Sequence, residues 1–165
     1  MDDNLAGKLK YLRLKGLSAQ WDDYLKLAAQ KRFSHGHLLA HVVEEEYRLK
    51  QENARKLRIK RACIPEALVL ETYPFNRQPN LNKKMIMAMY DSLDYIKSSR
   101  GIIWLGPTGV GKSGLATGFL VHAINQGYTG RHIPFAELVG ELYQSVGDHS
   151  EEKVLRHYLA YDCLL

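Results

Sequence analysis

Eight consecutive residues, Gly106-Pro107-Thr108-Gly109-Val110-Gly111-Lys112-Ser113, match G-x-x-x-x-G-K-[ST] at every fixed position. Each residue type has a separable task. Glycines let the backbone curl tightly, so that successive N–H groups converge as donors on an anion. Lys112 brings a positive charge to β- and γ-phosphates, and the Ser113 hydroxyl is a ligand type suited to Mg²⁺. A helix that starts at the loop adds its N-terminal dipole. At ordinary residue frequencies a chance match in a chain this long is on the order of one in a hundred. The expected ligand is a nucleoside triphosphate, ATP with Mg²⁺, held by all eight residues.

Such a loop needs a strand before it and a helix after it, and both are legible. Ile102-Ile103-Trp104-Leu105 after Gly101 is a short apolar run, expected as a strand buried on both faces of a parallel sheet. Leu115, Ala116, Phe119, Leu120, Ala123 and Ile124 form one face of a following helix, which Gly127 closes. Residues 128–133 read as a second strand, weakened by Gly130 and ended by Pro134. Two short helices near 135–145 and 150–160 lead to Cys163-Leu164-Leu165, the start of another buried strand. Strand, helix, strand, helices, strand is an α/β pattern. Hydrolysis needs a further acid after a neighbouring strand, the Walker B site. Asp162 precedes its apolar run rather than following it, and reads as the strand's entrance.

The first third of the chain is different. Residues 1–62 hold 14 Lys/Arg against 8 Asp/Glu, whereas residues 63–165 hold 9 against 10, so the net charge of +5 belongs to the N-terminal part. That suits a surface facing a polyanion, although basic helices are also common without one. Leu5, Leu9, Tyr11 and Leu12 recur at helical spacing, with Gly16 expected as a stop and Ser18 as the next N-cap. Trp21, Tyr24, Leu25, Leu27 and Ala28 mark a second helix. Ser34 is expected to cap a long one, from about His35 to Ala62. Ion pairs Glu44–Arg48, Glu46–Lys50 and Glu52–Lys56 are expected along it. Its end carries Arg55, Lys56, Arg58, Lys60 and Arg61, candidate DNA contacts, though cations there also complement the helix dipole. Prolines 65, 74 and 79 with asparagines 76, 80 and 82 then read as a linker. Lys83 to Lys97 returns to helix. The expected organisation is a basic helical region over 1–64, a linker over 65–82 and a phosphate-loop domain over 83–165.

Other signals are weaker. His37 and His41 have metal-ligand spacing but neither an adjacent Glu nor a third ligand, so a structural pair is expected. Met85, Met87 and Met89 read as core filler. Arg131 and His132 could face phosphate, but one basic pair after a turn is usually solvated. Cys63 and Cys163 lack a CxxC partner and read as semi-buried thiols. No apolar run approaches the roughly 20 residues of a membrane span. The acidic start Met1-Asp2-Asp3-Asn4 does not resemble a signal peptide, and the cytoplasm is the expected compartment.

Taken with their order, these segments resemble the IstB-like ATP-binding proteins, helper ATPases of insertion-sequence transposition related to DnaC helicase loaders within the AAA+ superfamily. The likeness runs through Leu12-Arg13-Leu14-Lys15-Gly16-Leu17, Glu46-Tyr47-Arg48, Asn53-Ala54-Arg55 and Lys60-Arg61-Ala62. It continues through Ile64-Pro65, Tyr73-Pro74-Phe75, Leu105 to Lys112, Gly127-Tyr128 and Ala136-Glu137-Leu138-Val139. It implies an ATP-binding helper that forms homo-oligomers on double-stranded DNA, bends it and recruits a transposase, with the basic helices on phosphate backbone or partner. Departures are Ser113 for the usual Thr, and Gly130 and Pro134 where strand-forming and capping residues are preferred.

The family's Walker B acids, sensors, arginine finger and C-terminal lid have no counterpart in these residues, so a fragment that binds nucleotide but hydrolyses it poorly is expected. An incomplete AAA+-type parallel sheet with flanking helices is expected to follow the helical N-terminal region. In the family's strand order, 5-1-4-3-2, the strand at Gly101–Leu105 would have both edges unpaired. The fragment is then expected to be marginal, or its third strand to slide beside the first. Two other readings stay open: a DNA-binding, partner-recruiting module with a vestigial phosphate loop, and a small metabolite kinase. Phe75 and Asn80 are candidate adenine contacts.

Overall fold

The computed structural model describes residues 2–66 and 68–165; Met1 and Ala67, the latter within the expected linker, lie outside them. The chain forms two compact units, one up to Ala54 and one from Arg55. In the first, α1 (Asp3–Tyr11) is capped by the Asp2 carboxylate, which accepts from Asn4 N at 3.0 Å, and buries Leu9. Next come α2 (Lys15–Ala19), α3 (Trp21–Lys31) and the long α4 (His35–Arg61). Ser34 caps α4 as expected, its Oγ accepting from His37 N at 3.2 Å.

Gly16 is not a helix stop. It sits buried inside α2, and the turn before α2 is made at Arg13 (φ 58°). A Cβ on Gly16 would lie 2.4 Å from Leu49 Cδ1 and 2.6 Å from Glu46 Oε2, so the glycine permits α2 to lie against α4. Ser18 falls within α2, and Gln20 rather than Ser18 precedes α3. Two of the three expected ion pairs are replaced. Glu46 is buried and accepts from Leu17 N at 2.9 Å, while Arg48 pairs with Glu45 at 2.7 Å rather than with Glu44. His37 stacks on Phe33 at 4.2 Å, and His41 presents its edge to Tyr24 and Phe33. Aromatic packing accounts for their spacing.

The second unit is a mostly helical α/β arrangement around α7 (Lys112–Asn125), which buries Leu115, Phe119, Leu120, Ala123 and Ile124. Segment 68–81, rich in helix breakers, supplies two 3-10 turns, Leu70–Thr72 and Phe75–Arg77, and packs Leu70 into the core with Phe119. Asn82 caps α5 (Lys83–Ser92) through Met85 N. The expected continuous helix to Lys97 breaks at Leu93, which adopts φ 53° with its side chain buried, and resumes as α6 (Asp94–Lys97). Met87 and Met89 face the core as expected, whereas Met85 is exposed.

Strands β1 (Gly130–Arg131) and β2 (Cys163–Leu164) pair in parallel, Gly130 opposite Cys163 and Arg131 opposite Leu164. Between them run α8 (Phe135–Gly147) and α9 (Glu151–Leu159). The end of α4 meets β1's other side, where His132 N donates to Ala62 O at 2.7 Å.

Residues 101–105 do not form the expected strand. Their side chains still alternate: Ile102 and Trp104 pack on the core, while Ile103 and Leu105 are 83% and 88% exposed. The reason is the lack of a pairing strand beside them among the described residues. β2 pairs with β1, and a cavity of about 340 Å³ opens between Ile102, Trp104 and Phe119 on one side and Cys163 and Leu165 on the other. An extended segment becomes a strand only when its N–H and C=O groups meet a ladder. The third strand has therefore not moved beside the first. No helix of the described residues is long and apolar enough to cross a membrane.

Candidate nucleotide-binding site

Between the extended 102–105 segment and α7, the chain makes a tight loop whose conformation depends on glycine. Gly109 and Gly111 take φ 84° and 83°, in the left-handed region that residues with a Cβ avoid. Gly111 is also the N-cap of α7, so the loop runs directly into the helix and aims the first-turn N–H groups at it. Leu115 N, bonding Gly111 O at 3.0 Å, closes the first helical turn.

Lys112, the first residue of α7, folds its side chain back over the loop. Its Nζ donates to Gly106 O at 2.9 Å and to Pro107 O at 2.7 Å. Ser113 is exposed on the same turn, and Pro107, Thr108 and Gly109 are exposed along the loop. The eight motif residues thus form one continuous loop and helix start. A concave run of amides, a helix N-terminus and one ammonium group can hold a polyphosphate anion.

One wall of the site could not be read from local sequence. Tyr73 donates its hydroxyl to Val110 O at 2.7 Å, and a Cβ on Gly111 would lie 2.7 Å from the Tyr73 ring. Leu68 lies against α7 where a Cβ on Gly114 would come within 2.2 Å of its Cδ1. The available signal was the spacing of Gly111, Gly114 and Gly118, which bares one side of α7 for close approach. Together these segments enclose a pocket of about 240 Å³ lined by Val69, Tyr73, Pro74, Arg77, Gln78 and Gly109, among others. The adenine candidates Phe75 and Asn80 do not line it. Phe75 packs on the core under Lys83, whose Nζ is 5.4 Å from the ring centroid, and Asn80 is exposed elsewhere.

The basic end of α4 divides into two groups. Lys56, Lys60 and Arg61 are exposed, whereas Arg55 and Arg58 are half-buried, Arg55 donating to Asn125 Oδ1 at 3.1 Å. Arg131 is held rather than solvated, its Nη1 reaching Arg61 O at 3.2 Å and Cys63 Sγ at 2.7 Å. Cys63 is exposed rather than semi-buried, and Cys163 half-buried. Burial pushes the Cys163 thiol up, and the Asp162 charge adds to this. Asp162 accepts from Thr129 N and Oγ1, each at 2.7 Å, in agreement with a strand entrance.

Comparison with known proteins gives the same direction. Residues 7–165 match the family of IstB-like ATP binding proteins. A candidate ATP-binding protein of insertion sequence IS21 from Pseudomonas aeruginosa is 27% identical over 148 residues, 90% of this chain and 56% of the relative. The corresponding protein of IS232 from Bacillus thuringiensis subsp. berliner is 26% identical over 161 residues, covering 98% of this chain and 64% of the relative. That of IS5376 from Geobacillus stearothermophilus is 28% identical, covering 90% and 59%. The chain therefore spans a little over half of these relatives' own length. The family match takes in the phosphate loop, segment 68–81 and the basic helix alike, and on it the chain belongs to the IstB-like ATP-binding protein family.

Proposed function

We propose that this chain is an ATP-binding helper of DNA transposition. The observation that carries the reading is the loop from Gly106 to Ser113, turned by Gly109 and Gly111 into the N-terminus of α7 with Lys112 folded over it. Lys112 exchanges its bonds to Gly106 and Pro107 for the β- and γ-phosphates, and the Ser113 hydroxyl contributes a ligand to Mg²⁺ carried with the nucleotide. The nucleoside base enters the pocket between Tyr73, Arg77 and Gln78. Asp162 precedes β2 and is engaged by Thr129, so it does not serve as a Walker B acid, and binding with little turnover is the reading for residues 1–165. The relatives' names, which place ATP-binding proteins in insertion sequences, support a transposase as partner. Homo-oligomers on double-stranded DNA follow from the resemblance, with Lys56, Lys60 and Arg61 on its phosphates. The basic helical region over 1–64 and the phosphate-loop region from 83 are joined by segment 65–82, which also contributes Tyr73, Arg77 and Gln78 to the nucleotide pocket.

A second reading keeps the DNA and partner surface and treats the phosphate loop as vestigial. The bonds from Lys112 to its own loop favour it, since they satisfy the ammonium without ligand. Calorimetric titration with Mg-ATP separates the two. Saturable binding that Lys112→Ala weakens by about 10- to 100-fold supports the first. DNA binding together with heats no different from buffer on adding ATP selects the second.

A further inference from the structure

We infer that Tyr73 is a positioning residue of the phosphate loop, holding the Val110–Gly111 peptide so that the Gly111 N–H is presented to a bound polyphosphate. The inference rests on the nucleotide reading above and adds a residue outside the motif.

The geometry begins with a planar, trans peptide, in which the carbonyl of one residue and the N–H of the next point in opposite directions. Tyr73 Oη donates to Val110 O at 2.7 Å, a short bond in the usual range for a hydroxyl donor. Fixing that oxygen fixes the Gly111 N–H on the far side of the peptide. Gly111, at φ 83°, has no side chain of its own to confine the peptide plane, so an outside contact must do so. The Tyr73 ring restricts it further, since even a Cβ on Gly111 would lie 2.7 Å from Cε2.

Tyr73 is itself anchored. Its N–H donates to Leu70 O at 3.0 Å, and its carbonyl accepts from Phe75 N at 2.8 Å. Leu70 is 2% exposed, and the Phe75 ring meets the tyrosine ring edge-on at 4.8 Å. A hydroxyl set on such a base serves as a fixed post for the loop, and a donor fixed before binding loses less freedom when the anion arrives. Tyr73 also walls the pocket beside the loop, so a contact with the nucleoside is the competing explanation for any effect of its removal.

The probes are Mg-ATP and inorganic tripolyphosphate, titrated into residues 1–165 and into Tyr73→Phe, which keeps the ring and removes the hydroxyl. One net hydrogen bond corresponds to an affinity change of roughly two- to tenfold. The expected result is a loss of about that size, equal for ATP and tripolyphosphate, with the melting temperature of the ligand-free protein lowered by no more than the roughly 1–4 °C that one hydrogen bond is worth. Lower ATP affinity with unchanged tripolyphosphate affinity overturns the inference and assigns Tyr73 to the base. Unchanged affinity for both overturns it, and unchanged affinity together with lower melting marks a structural role only. If the unsubstituted chain binds neither probe, the nucleotide reading itself fails and the inference goes with it.

Discussion

The ammonium of Lys112 donates to the carbonyl oxygen of Pro107 at 2.7 Å, so the loop's principal cation is occupied by the loop itself. Phosphate must displace that bond, and the exchange is favourable because an anionic oxygen is a stronger acceptor than a peptide carbonyl. Lys112→Ala is expected to weaken ATP binding by about 10- to 100-fold, the range for a lost charge-assisted hydrogen bond. Ligand-free stability should change little, since both carbonyls are exposed to water. Calorimetry and thermal melting of the same preparations check both halves.

In the first unit, Glu46 is buried with its carboxylate on Leu17 N. Glu46→Ala leaves that amide without its acceptor and opens space beneath Gly16, at a cost of about 1–3 kcal/mol. Gly16→Leu tests the same contact from the other side, because even a Cβ meets Leu49 and Glu46. Urea denaturation followed by circular dichroism should show both variants shifted to lower midpoints. Native midpoints would mean that α2 does not depend on α4.

The two thiols should separate by pH. A thiol pKa raised by burial means less thiolate at any given pH, so Cys163 requires more alkaline solution than an ordinary cysteine to react. Cys63 is exposed. Iodoacetamide labelling read by peptide mass spectrometry is expected to modify Cys63 first near pH 8, with Cys163 following as pH rises. Equal rates in the folded protein would contradict the burial of Cys163.

If the exposed end of α4 contacts DNA phosphates, its contribution is electrostatic and should depend on salt. Each phosphate contact removed lowers the slope of log affinity against log salt by roughly 0.9. Replacing Lys56, Lys60 and Arg61 together is expected to reduce the slope by about two to three. Arg55→Ala should instead lower stability, because its guanidinium is held at Asn125. Fluorescence anisotropy with labelled duplex at several salt concentrations decides the matter, and a slope unmoved by the triple change excludes this surface.

What could be read along the chain was whatever depends on neighbours in sequence. The helix beginning at Lys112, the Ser34 cap and the parallel start at Cys163 each follow from a local residue pattern. Contacts that depend on neighbours in space were misread. Gly16 looks like a terminator until Leu49 and Glu46 are seen beside it, and segment 68–81 looks like a tether until Leu70 is found beneath α7. The same limit hid Tyr73, which has no motif of its own and acquires meaning from Val110 and Gly111.

Residues 102–105 show this limit most plainly and lead to a prediction about solution behaviour. Four apolar residues suffice to predict a strand, yet the ladder must come from elsewhere in space, and Ile103 and Leu105 remain 83% and 88% exposed. An apolar extended segment with unpaired backbone is a template for pairing with another copy. Residues 1–165 should therefore self-associate as concentration rises, through a surface remote from the core side of Trp104. Ile103→Lys with Leu105→Lys places charge on that exposed side and should suppress association. Melting should be unchanged within about 0.5 kcal/mol, as for exposed substitutions generally. Light scattering across a concentration series measures the first effect and urea denaturation the second. Loss of stability in the double variant would show that these side chains are covered in solution, and that the segment has found a ladder.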